Sequence, residues 1–336
     1  MATGMVSVTV ASYLGELFQA GRRPNALLRL AGGLQGAVKT ANAREFPVGV
    51  FYDLRAPSQS AKKEGADAPT PEHRTMTQAT NVIQIFHEAV ETTYLAVSDQ
   101  SFAGLQKLPG SDAVQDPRDH NWQVLQALAT IAQDANFSFV QGTYNNPADP
   151  RTEELKTRGL ATAIVTNVID GSGVDSAAAY RDLANELHRE LLDNSGMEID
   201  DGHVLFVDSI QFNNFSLAFE SKTQAPQDRR VAGVQVRTIF TRYGRLNLVY
   251  EPDMPAQTAV AANMSVVGVV GLPVPGKGIL FEEPLAKQGS RDGTQIYGQL
   301  GLDHGPEWMH AKATGLSADP LVEATDAGNG DGGVVG

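Results

Sequence analysis

The sequence predicts an α+β fold in which a globular core carries long arms and loops. Three observations favour this class: a long amphipathic helix at about 117–141, alternating helices and strands between residues 160 and 255, and mostly strands from residue 234 onward. Hydrophobic residues make up 42% of the 336 residues, which is enough to form a sizeable core.

The charge and the cysteine content exclude several classes of function. The formal net charge of -13 gives an acidic surface, which disfavours sequence-specific binding to nucleic acids. Because the chain has no cysteine, disulfides and thiolate metal sites are excluded. No apolar run approaches the roughly 18 residues of a membrane span, and no basic region precedes the apolar N-terminal stretch. We therefore expect a soluble protein made in the cytoplasm, with no membrane partner.

The first 44 residues form a basic segment on this acidic chain. They contain five basic residues and one acidic residue, Glu16, and so carry a net charge of +4. The basic residues are Arg22, Arg23, Arg29, Lys39 and Arg44. A basic arm on an acidic body favours self-association through complementary charge. A solvated, partly ordered N-terminus is the alternative.

A long hairpin is predicted next. Residues 46–54 alternate as a strand does, and a second long strand runs from Val82 towards Tyr94. About twenty-five mostly polar residues, including Lys62 and Lys63, join the two strands, and such a loop is uncommon in a compact domain unless it is functional. We expect the tip of this hairpin to contact a partner.

The helix at about 117–141 has the clearest start signal, an Asp-Pro pair at 116–117. Its apolar residues cover two sides, so we expect it to lie between layers. At 1.5 Å per residue it would be roughly 36 Å long.

Helices and strands then alternate. The run Leu160–Ile169 is either a strand or the start of a helix, a helix follows that is capped by Asp175 or Ser176, and another begins at Ser209 after a buried strand at 203–208. Further strands are predicted in VQVRTIFT, LNLVY, MSVVGVV, GILFEE, TQIYGQLGLD and MHAKA. We expect residues 317–336, with four acidic and no basic residues, to be disordered.

No pattern in the sequence positively predicts catalysis. GLPVPGKG at 271–278 lacks the Ser or Thr that a phosphate loop needs after its lysine. The adjacent Glu282 and Glu283 would point to opposite faces of a strand. Two histidines, His304 and His310, flank Glu307 and could form a metal site, although a turn leading into a strand is favoured. The sequence therefore predicts no enzyme, no cofactor and no metal.

The order of these segments resembles that of the tailed-bacteriophage major capsid proteins, whose fold is named for the Hong Kong phage in which it was first seen. Several stretches across about residues 40–315 carry the resemblance. They are NVIQIFHEAVETTY, NWQVLQALATIAQDANFSFVQG, TRGLATAIVTNVI, VQVRTIFTRYGRLNLVYEPDMP and GILFEEPLAKQG. The resemblance implies a structural subunit that assembles into hexamers and pentamers, forming an icosahedral head around phage DNA.

The same resemblance divides the chain. It implies an N-arm at 1–44, an E-loop hairpin at 45–98, a peripheral domain at 99–160 and 255–316 around the long spine helix, an axial domain at 160–255, and the acidic tail at 317–336. From the residues we expect Arg22, Arg23 and Arg29 to dock on acidic faces of neighbouring subunits. The loop tip, including Lys62, Lys63 and Arg74, is expected to lie on an adjacent subunit.

The resemblance also implies partners. Besides other copies of itself, the chain would meet separate scaffold and portal proteins, in some cases a decoration protein, and packaged DNA that an acidic inner face contacts non-specifically. No long scaffolding segment precedes the arm, so a scaffold is expected to be a separate protein or to be absent. Some family members join subunits covalently through a lysine at the E-loop tip. Here Lys62 and Lys63 occupy that region, but the partner asparagine and assisting glutamate are not identified.

Two other functions remain open at this stage. One is an encapsulin-like compartment shell, which has the same fold but encloses an enzyme cargo. The other is a soluble α+β enzyme whose site is assembled from dispersed residues, for example around His304, Glu307 and His310.

Overall fold

The computed structural model describes residues 17, 23–32, 37–52, 59, 61–68, 73, 76–98, 120–195, 202–220, 227–287 and 289–321. Its helices are α1 (Ala26–Gly32), α2 (Tyr94–Ser98), α3 (His120–Gln141), α4 (Leu160–Ala163), α5 (Ala177–Ser195) and α6 (Ser209–Glu220). Its strands are β1 (Val38–Thr40), β2 (Glu45–Tyr52), β3 (Met76–Val82), β4 (Gln84–Thr93), β5 (Val168–Asp170), β6 (His203–Val207), β7 (Gln227–Val231), β8 (Val234–Thr241), β9 (Gly244–Tyr250), β10 (Thr258–Asn263), β11 (Gly268–Gly271), β12 (Leu280–Pro284), β13 (Arg291–Asp303) and β14 (Ala311–Thr314). Within these residues, no helix is long and apolar enough to cross a membrane.

The described chain divides into two compact units. The first contains the described residues up to Val165 together with Met264–Met309, and the second contains Thr166–Asn263 and the residues from His310 onward. The second compact unit therefore has different limits from the axial domain predicted at 160–255. Strands β10 and β14, expected in the peripheral domain, pair with each other inside the sheet of the second unit.

The first unit is built on a five-stranded sheet centred on β13. This long strand pairs with β4 on one side and with β11 and β12 on the other, while β1 lies parallel to β11. Helix α3 packs on this sheet, and the rings of Phe86 and Phe139 meet edge to face with centroids 6.5 Å apart.

The long helix lies between two layers for part of its surface, as expected. Helix α1 packs on it, and the Leu28 N–H donates to Asn136 Oδ1 at 3.1 Å. The side chains of Leu125 and Phe137 are not covered, since they are 48% and 51% exposed. The predicted start at Asp116–Pro117 lies outside the described residues, and the helix is described from His120.

The hairpin has a different second strand from the predicted one. Strand β2 pairs antiparallel with β3, with a bulge between Pro47 and Val50. Strand β4 follows after Ile83 and joins the main sheet through β13 instead. The hairpin therefore spans about residues 45–82, and residues 84–98 belong to the sheet and to helix α2, which corrects the predicted range of 45–98.

The second unit is a seven-stranded sheet in the order β5-β14-β10-β6-β9-β8-β7. Both α5 and α6 contribute to one hydrophobic core with this sheet, which includes Tyr180, Leu187 and Phe215 from the helices. The core also takes alternate residues from the central strands, namely Leu205, Val207, Ile239, Leu246, Leu248, Ala259, Ala261, Ala311 and Ala313. One side of the sheet is therefore covered by helices, as in an α+β layer domain.

Residues 317–321 are ordered, which corrects the prediction of a disordered tail beginning at 317. Gln211 Nε2 donates to the Ser317 carbonyl at 2.7 Å, and the Leu321 N–H donates to Asn214 Oδ1 at 2.7 Å. These hydrogen bonds attach residues 317–321 to α6. Residues 322–336, the remainder of the predicted tail, lie outside the described residues.

Candidate assembly surfaces

The base of the β2–β3 hairpin is firmly attached to the first unit. The fully buried side chain of Asn81 donates to the carbonyls of Arg158 and Leu302 at 3.1 and 2.8 Å. Its Oδ1 accepts from the N–H groups of Arg158 and Val82 at 2.8 and 2.9 Å. One amide thus ties β3 to β13 and to the segment before α4. No sequence pattern marks Asn81 for this role, because its partners are distant in sequence.

A small apolar cluster supports the same base. Phe46, Val48 and Ile83 are buried together with Ala41 and Val270. Because an isolated two-stranded hairpin is marginally stable in water, this cluster and the Asn81 bonds are what hold the strands in place.

The far end of the hairpin has little support of this kind. All residues from Ala61 to Ala68 are exposed, including Lys62 and Lys63, and Met76 at the start of β3 is 65% exposed. Within the described part of the chain, neither lysine has a carboxylate within 4.0 Å. Arg74 lies outside the described residues. An anchored base with an exposed tip that carries Lys62 and Lys63 is suited to reach a surface beyond its own unit.

The part of the predicted N-arm from Ala26 onward packs largely within the first unit. Residues 26–32 form α1, whose Leu27 and Leu28 are buried, and β1 pairs with β11. The predicted arm at 1–44 is therefore too long, because the stretch from Ala26 onward belongs largely to the first unit. Arg29 is half-buried on α1 and Arg23 is exposed just before it, whereas Arg22 lies outside the described residues.

The second unit contains a buried chain of hydrogen bonds that the sequence does not reveal. His188 of α5 and His203 of β6 are both fully buried, with His188 Nε2 and His203 Nδ1 3.2 Å apart. His188 Nδ1 lies 2.6 Å from Thr241 Oγ1, and that hydroxyl donates to the Gly244 carbonyl at 3.1 Å. Burial, followed by the nearby His203 ring, lowers the pKa of His188 to about 4.

The directions of these hydrogen bonds assign the tautomers of His188 and His203. Since the Thr241 hydroxyl donates to Gly244, it accepts from His188 Nδ1–H. His188 Nε2 then accepts from His203 Nδ1–H, so the His188 ring is neutral in this arrangement. A proton added to His188 Nε2 would meet the N–H of His203. The chain of hydrogen bonds is thus a structural element that depends on a neutral His188.

The groups considered for catalysis are engaged in separate contacts. Glu282 accepts from His120 at 3.0 Å, while Glu283 pairs with Lys277 at 2.7 Å, and this lysine contact lowers the pKa of Glu283. The two carboxylates therefore have different partners on the two faces of β12, as expected. Lys277, in the glycine-rich turn, is thus an ion-pair partner in a turn closed by the Val274–Gly278 bridge.

The histidines near residue 307 are likewise held by backbone contacts. Buried His304 lies 2.7 Å from the Gly305 carbonyl through Nδ1, and burial lowers its pKa. Glu307 accepts from the Val165 N–H at 3.1 Å, and His310 Nδ1 accepts from the Asn263 N–H at 3.2 Å. Among the described residues, no group of three or more histidine, aspartate or glutamate side chains is arranged to hold a metal ion.

Solved structures with similar folds are shells of several kinds. The SrpI encapsulin of Synechococcus elongatus PCC 7942 has a TM-score of 0.56 at 12% identity, with 89% of this chain and 90% of that chain covered. The capsid of a native GTA particle has a TM-score of 0.55 at 14% identity, with coverage of 94% and 96%. The capsid of the Myoviridae phage XM1 has a TM-score of 0.50 at 12% identity, with coverage of 84% and 91%. At these identities the likeness establishes the capsid fold.

The match between the sequence and a family model decides to which family the chain belongs. No curated protein matches this chain. The family model described as SU10 major capsid protein, however, matches residues 1–317, which include both compact units, the hairpin and the N-terminal segment. The encapsulin and the GTA capsid score almost equally in structure, so the structural likeness alone does not separate a compartment shell from a phage head, and the family match does. The chain therefore belongs to the SU10 family of phage major capsid proteins, and it has the tailed-phage major capsid fold that its segments resemble.

Proposed function

We propose that this major capsid protein assembles into hexamers and pentamers that form the icosahedral head enclosing phage DNA. The observation that carries this proposal is the hairpin at residues 45–82. Its base is fixed by Asn81 and a buried cluster, and its tip has no packing of its own among the described residues. A subunit that spreads its binding over loops and arms forms many weak contacts, which keeps early assembly reversible.

The two compact units have separate roles in this proposal. The first unit, with the spine helix α3, serves as the peripheral domain, and the second unit serves as the axial domain near the centres of the rings. For these domains we propose the limits of the compact units, 166–263 and 310–321 for the axial domain.

The exposed cations are assigned to contacts between subunits. Lys62 and Lys63 at the hairpin tip, with Arg74, are proposed to lie on an adjacent subunit, and Arg22, Arg23 and Arg29 to face acidic surfaces of neighbours. Arg29 contributes least, because it is half-buried on α1. The net charge of -13 supports this assignment, because a neighbouring copy carries more acidic than basic residues.

Charge reversal tests the arm. Replacing Arg22→Glu and Arg23→Glu together is expected to block or deform assembly while the urea unfolding curve of the free subunit stays the same. The matched control, Arg22→Lys with Arg23→Lys, keeps the charge and is expected to assemble normally. Normal particles from the glutamate variant would contradict the proposed contact of Arg22 and Arg23 with neighbouring subunits.

The remaining partners are proposed on the same basis. Separate scaffold and portal proteins, and in some heads a decoration protein, would complete assembly, and packaged DNA would meet an acidic inner face that binds it weakly. The protein would be made in the host cytoplasm and act in the virion, as a structural subunit and not as an enzyme. Negative-stain electron microscopy of the purified protein tests the proposal: closed shells or rings of five and six subunits support it. A species that stays monomeric when the other head proteins are coexpressed contradicts it.

A further inference from the structure

Two buried side chains of α6 hold the short segment that follows β14. Gln211 Nε2 donates to the Ser317 carbonyl at 2.7 Å. Asn214 Nδ2 donates to the Asp319 carbonyl at 3.2 Å, and Asn214 Oδ1 accepts from the Leu321 N–H at 2.7 Å. All three hydrogen bonds reach the main chain of the segment. They therefore recognise a peptide backbone and do not depend on the side chains of the peptide.

The two amides are oriented by the neighbouring helix. The Tyr180 hydroxyl of α5 donates to Gln211 Oε1 at 2.8 Å, and it accepts from Asn214 Nδ2 at 3.0 Å. All three side chains are fully buried. The other hydrogen-bonding groups of the two amides are thereby directed at the segment. Because a buried amide without its partners is costly, this site is most stable when a peptide fills it.

The segment supplies one apolar anchor to the site. Leu321 is half-buried and packs against the core of the second unit, whereas residues 318–320 are exposed. Ser317 Oγ accepts from the Asp319 N–H at 3.1 Å, which closes a turn inside the segment, and Pro320 restricts the backbone further. Both features reduce the entropy that the segment loses on binding. These contacts are typical of a short, preorganised peptide ligand.

The segment begins after the sheet of the second unit has ended. Strand β14 ends at Thr314, and Leu316 is 2% exposed, with its N–H donating to the Gln257 carbonyl at 3.1 Å. Beyond Leu316, the hydrogen bonds from residues 317–321 to other described parts of the chain are the three to Gln211 and Asn214. The segment can therefore detach by local opening, without disturbing the strands.

We propose that the surface of α6 around Gln211 and Asn214 is a binding site for a short peptide, and that residues 317–321 are its displaceable occupant. The ligand is a peptide recognised through its main chain, with one apolar side chain at the position of Leu321. While the chain's own segment is bound, it blocks the site. A segment of the same chemistry from another molecule binds when it leaves. The inference concerns the free subunit and does not depend on the shell function.

A chain that ends at Leu316 leaves the site empty. A tethered segment acts at an effective concentration in the millimolar range, so a segment that stays bound is expected to bind in trans with a dissociation constant below about 1 mM. Calorimetric titration with an acetylated peptide of residues 317–323 measures this constant. The natural chain is expected to bind the same peptide about tenfold more weakly or worse, because its own segment competes.

A substitution in the complete chain tests the same point if the shortened chain does not fold. Leu321→Ala removes the apolar anchor of the occupant and leaves the site unchanged, so this variant is expected to bind the peptide more tightly than the natural chain. The matched control is Asp319→Ala, which truncates an exposed side chain of the same segment. It is expected to bind the peptide as weakly as the natural chain.

Two modified peptides test the recognition of the main chain. Methylation of the Leu321 nitrogen removes the donor to Asn214 and is expected to weaken binding by about tenfold or more. Methylation of the Ala318 nitrogen is the control, because that N–H has no acceptor among the described residues, and it is expected to change binding little.

Three results would overturn the inference. The first is binding of the peptide to neither the shortened chain nor the Leu321→Ala variant. The second is equal binding to the natural chain and to the variants, since the segment would then not occupy the site. The third is binding that methylation of the Leu321 nitrogen leaves unchanged, since the peptide would then not use Asn214. Each of these results leaves the shell function standing.

Discussion

Lowering the pH from 7 to 5 is predicted to destabilise the second unit through His188. In the folded protein this histidine has a pKa of about 4, compared with 6.5 for an ordinary histidine. At pH 5 the unfolded chain therefore binds a proton at His188 that the folded chain does not bind. The stabilisation is fully present above pH 6.5, falls as the pH drops towards 4, and changes little below that.

The structure gives both the magnitude and the cause. Shifting one histidine from 6.5 to about 4 removes about 2 kcal/mol of unfolding free energy between pH 7 and pH 5. The cause is burial of the ring, which disfavours the charged imidazolium, followed by the nearby His203 ring. His188 Nε2 accepts from His203, and Nδ1 donates to Thr241, so a further proton has no acceptor in this arrangement.

Urea unfolding of the free subunit, followed by circular dichroism at pH 7 and pH 5, measures the effect. His188→Gln removes the titrating group, so its loss of stability between the two pH values is expected to be smaller than that of the natural protein by about 2 kcal/mol. The matched control is His87→Gln, which makes the same substitution at an exposed position in the first unit. The reasoning is refuted if His188→Gln keeps the full pH dependence, or if carbon-13-labelled His188 titrates near 6.5 by NMR.

Further predictions concern the first unit and the hairpin. Asn81→Ala leaves the carbonyls of Arg158 and Leu302 without their donor and is expected to lower the unfolding free energy by on the order of 3 kcal/mol. Urea unfolding followed by the fluorescence of the two tryptophans, both in the first unit, measures this loss. Ile131→Ala, at a position 1% exposed on the spine helix, is expected to cost about 2–5 kcal/mol in the same assay. Gly301→Ala brings a Cβ within 2.8 Å of the Phe46 ring and is expected to cost about 1–3 kcal/mol. A cost below about 0.5 kcal/mol at any of the three positions contradicts its assigned contact. Denaturing electrophoresis of mature particles is expected to give one band near 35.8 kDa, and a ladder would instead indicate covalent joining of subunits.

Local signals in the sequence predicted the helices of the second unit well. Helix α5 was expected to be capped by Asp175 or Ser176, and the structure selects Ser176, whose hydroxyl accepts from the Ala179 N–H at 3.3 Å. Helix α6 begins at Ser209 as predicted, with Asp208 Oδ1 accepting from the Gln211 N–H at 2.7 Å. Caps of this kind involve residues three positions apart, so the sequence alone contains the necessary information.

Strand pairing was harder to predict because its partners are far apart in sequence. The run from Met76 to Thr93 has no glycine or proline, yet it divides at Ile83 into two strands with different partners. Strand β10, TAVAAN, was missed because alanine is a poor strand former, although all six residues are buried in the middle of the sheet. The small side chains fit a strand covered on both faces, a property that becomes visible only with the neighbouring strands in place.

Among the candidate contact residues, too, some features could be predicted from the sequence and others could not. The exposure of Lys62 and Lys63 could be predicted, because a long polar loop has no apolar residues to bury. Asn81 could not be predicted, because its four backbone contacts come from three separate segments. The placement of Arg29 on a helix that packs within its own unit could not be predicted from charge alone.

Cryo-electron microscopy of particles assembled from this protein with its other head proteins tests the central claim most directly. The account predicts a closed icosahedral wall of five- and six-membered rings, with every wall subunit fitted by this fold and each β2–β3 hairpin in contact with an adjacent copy. A wall built from a different chain, or hairpins that fold back onto their own subunit throughout the lattice, would contradict it.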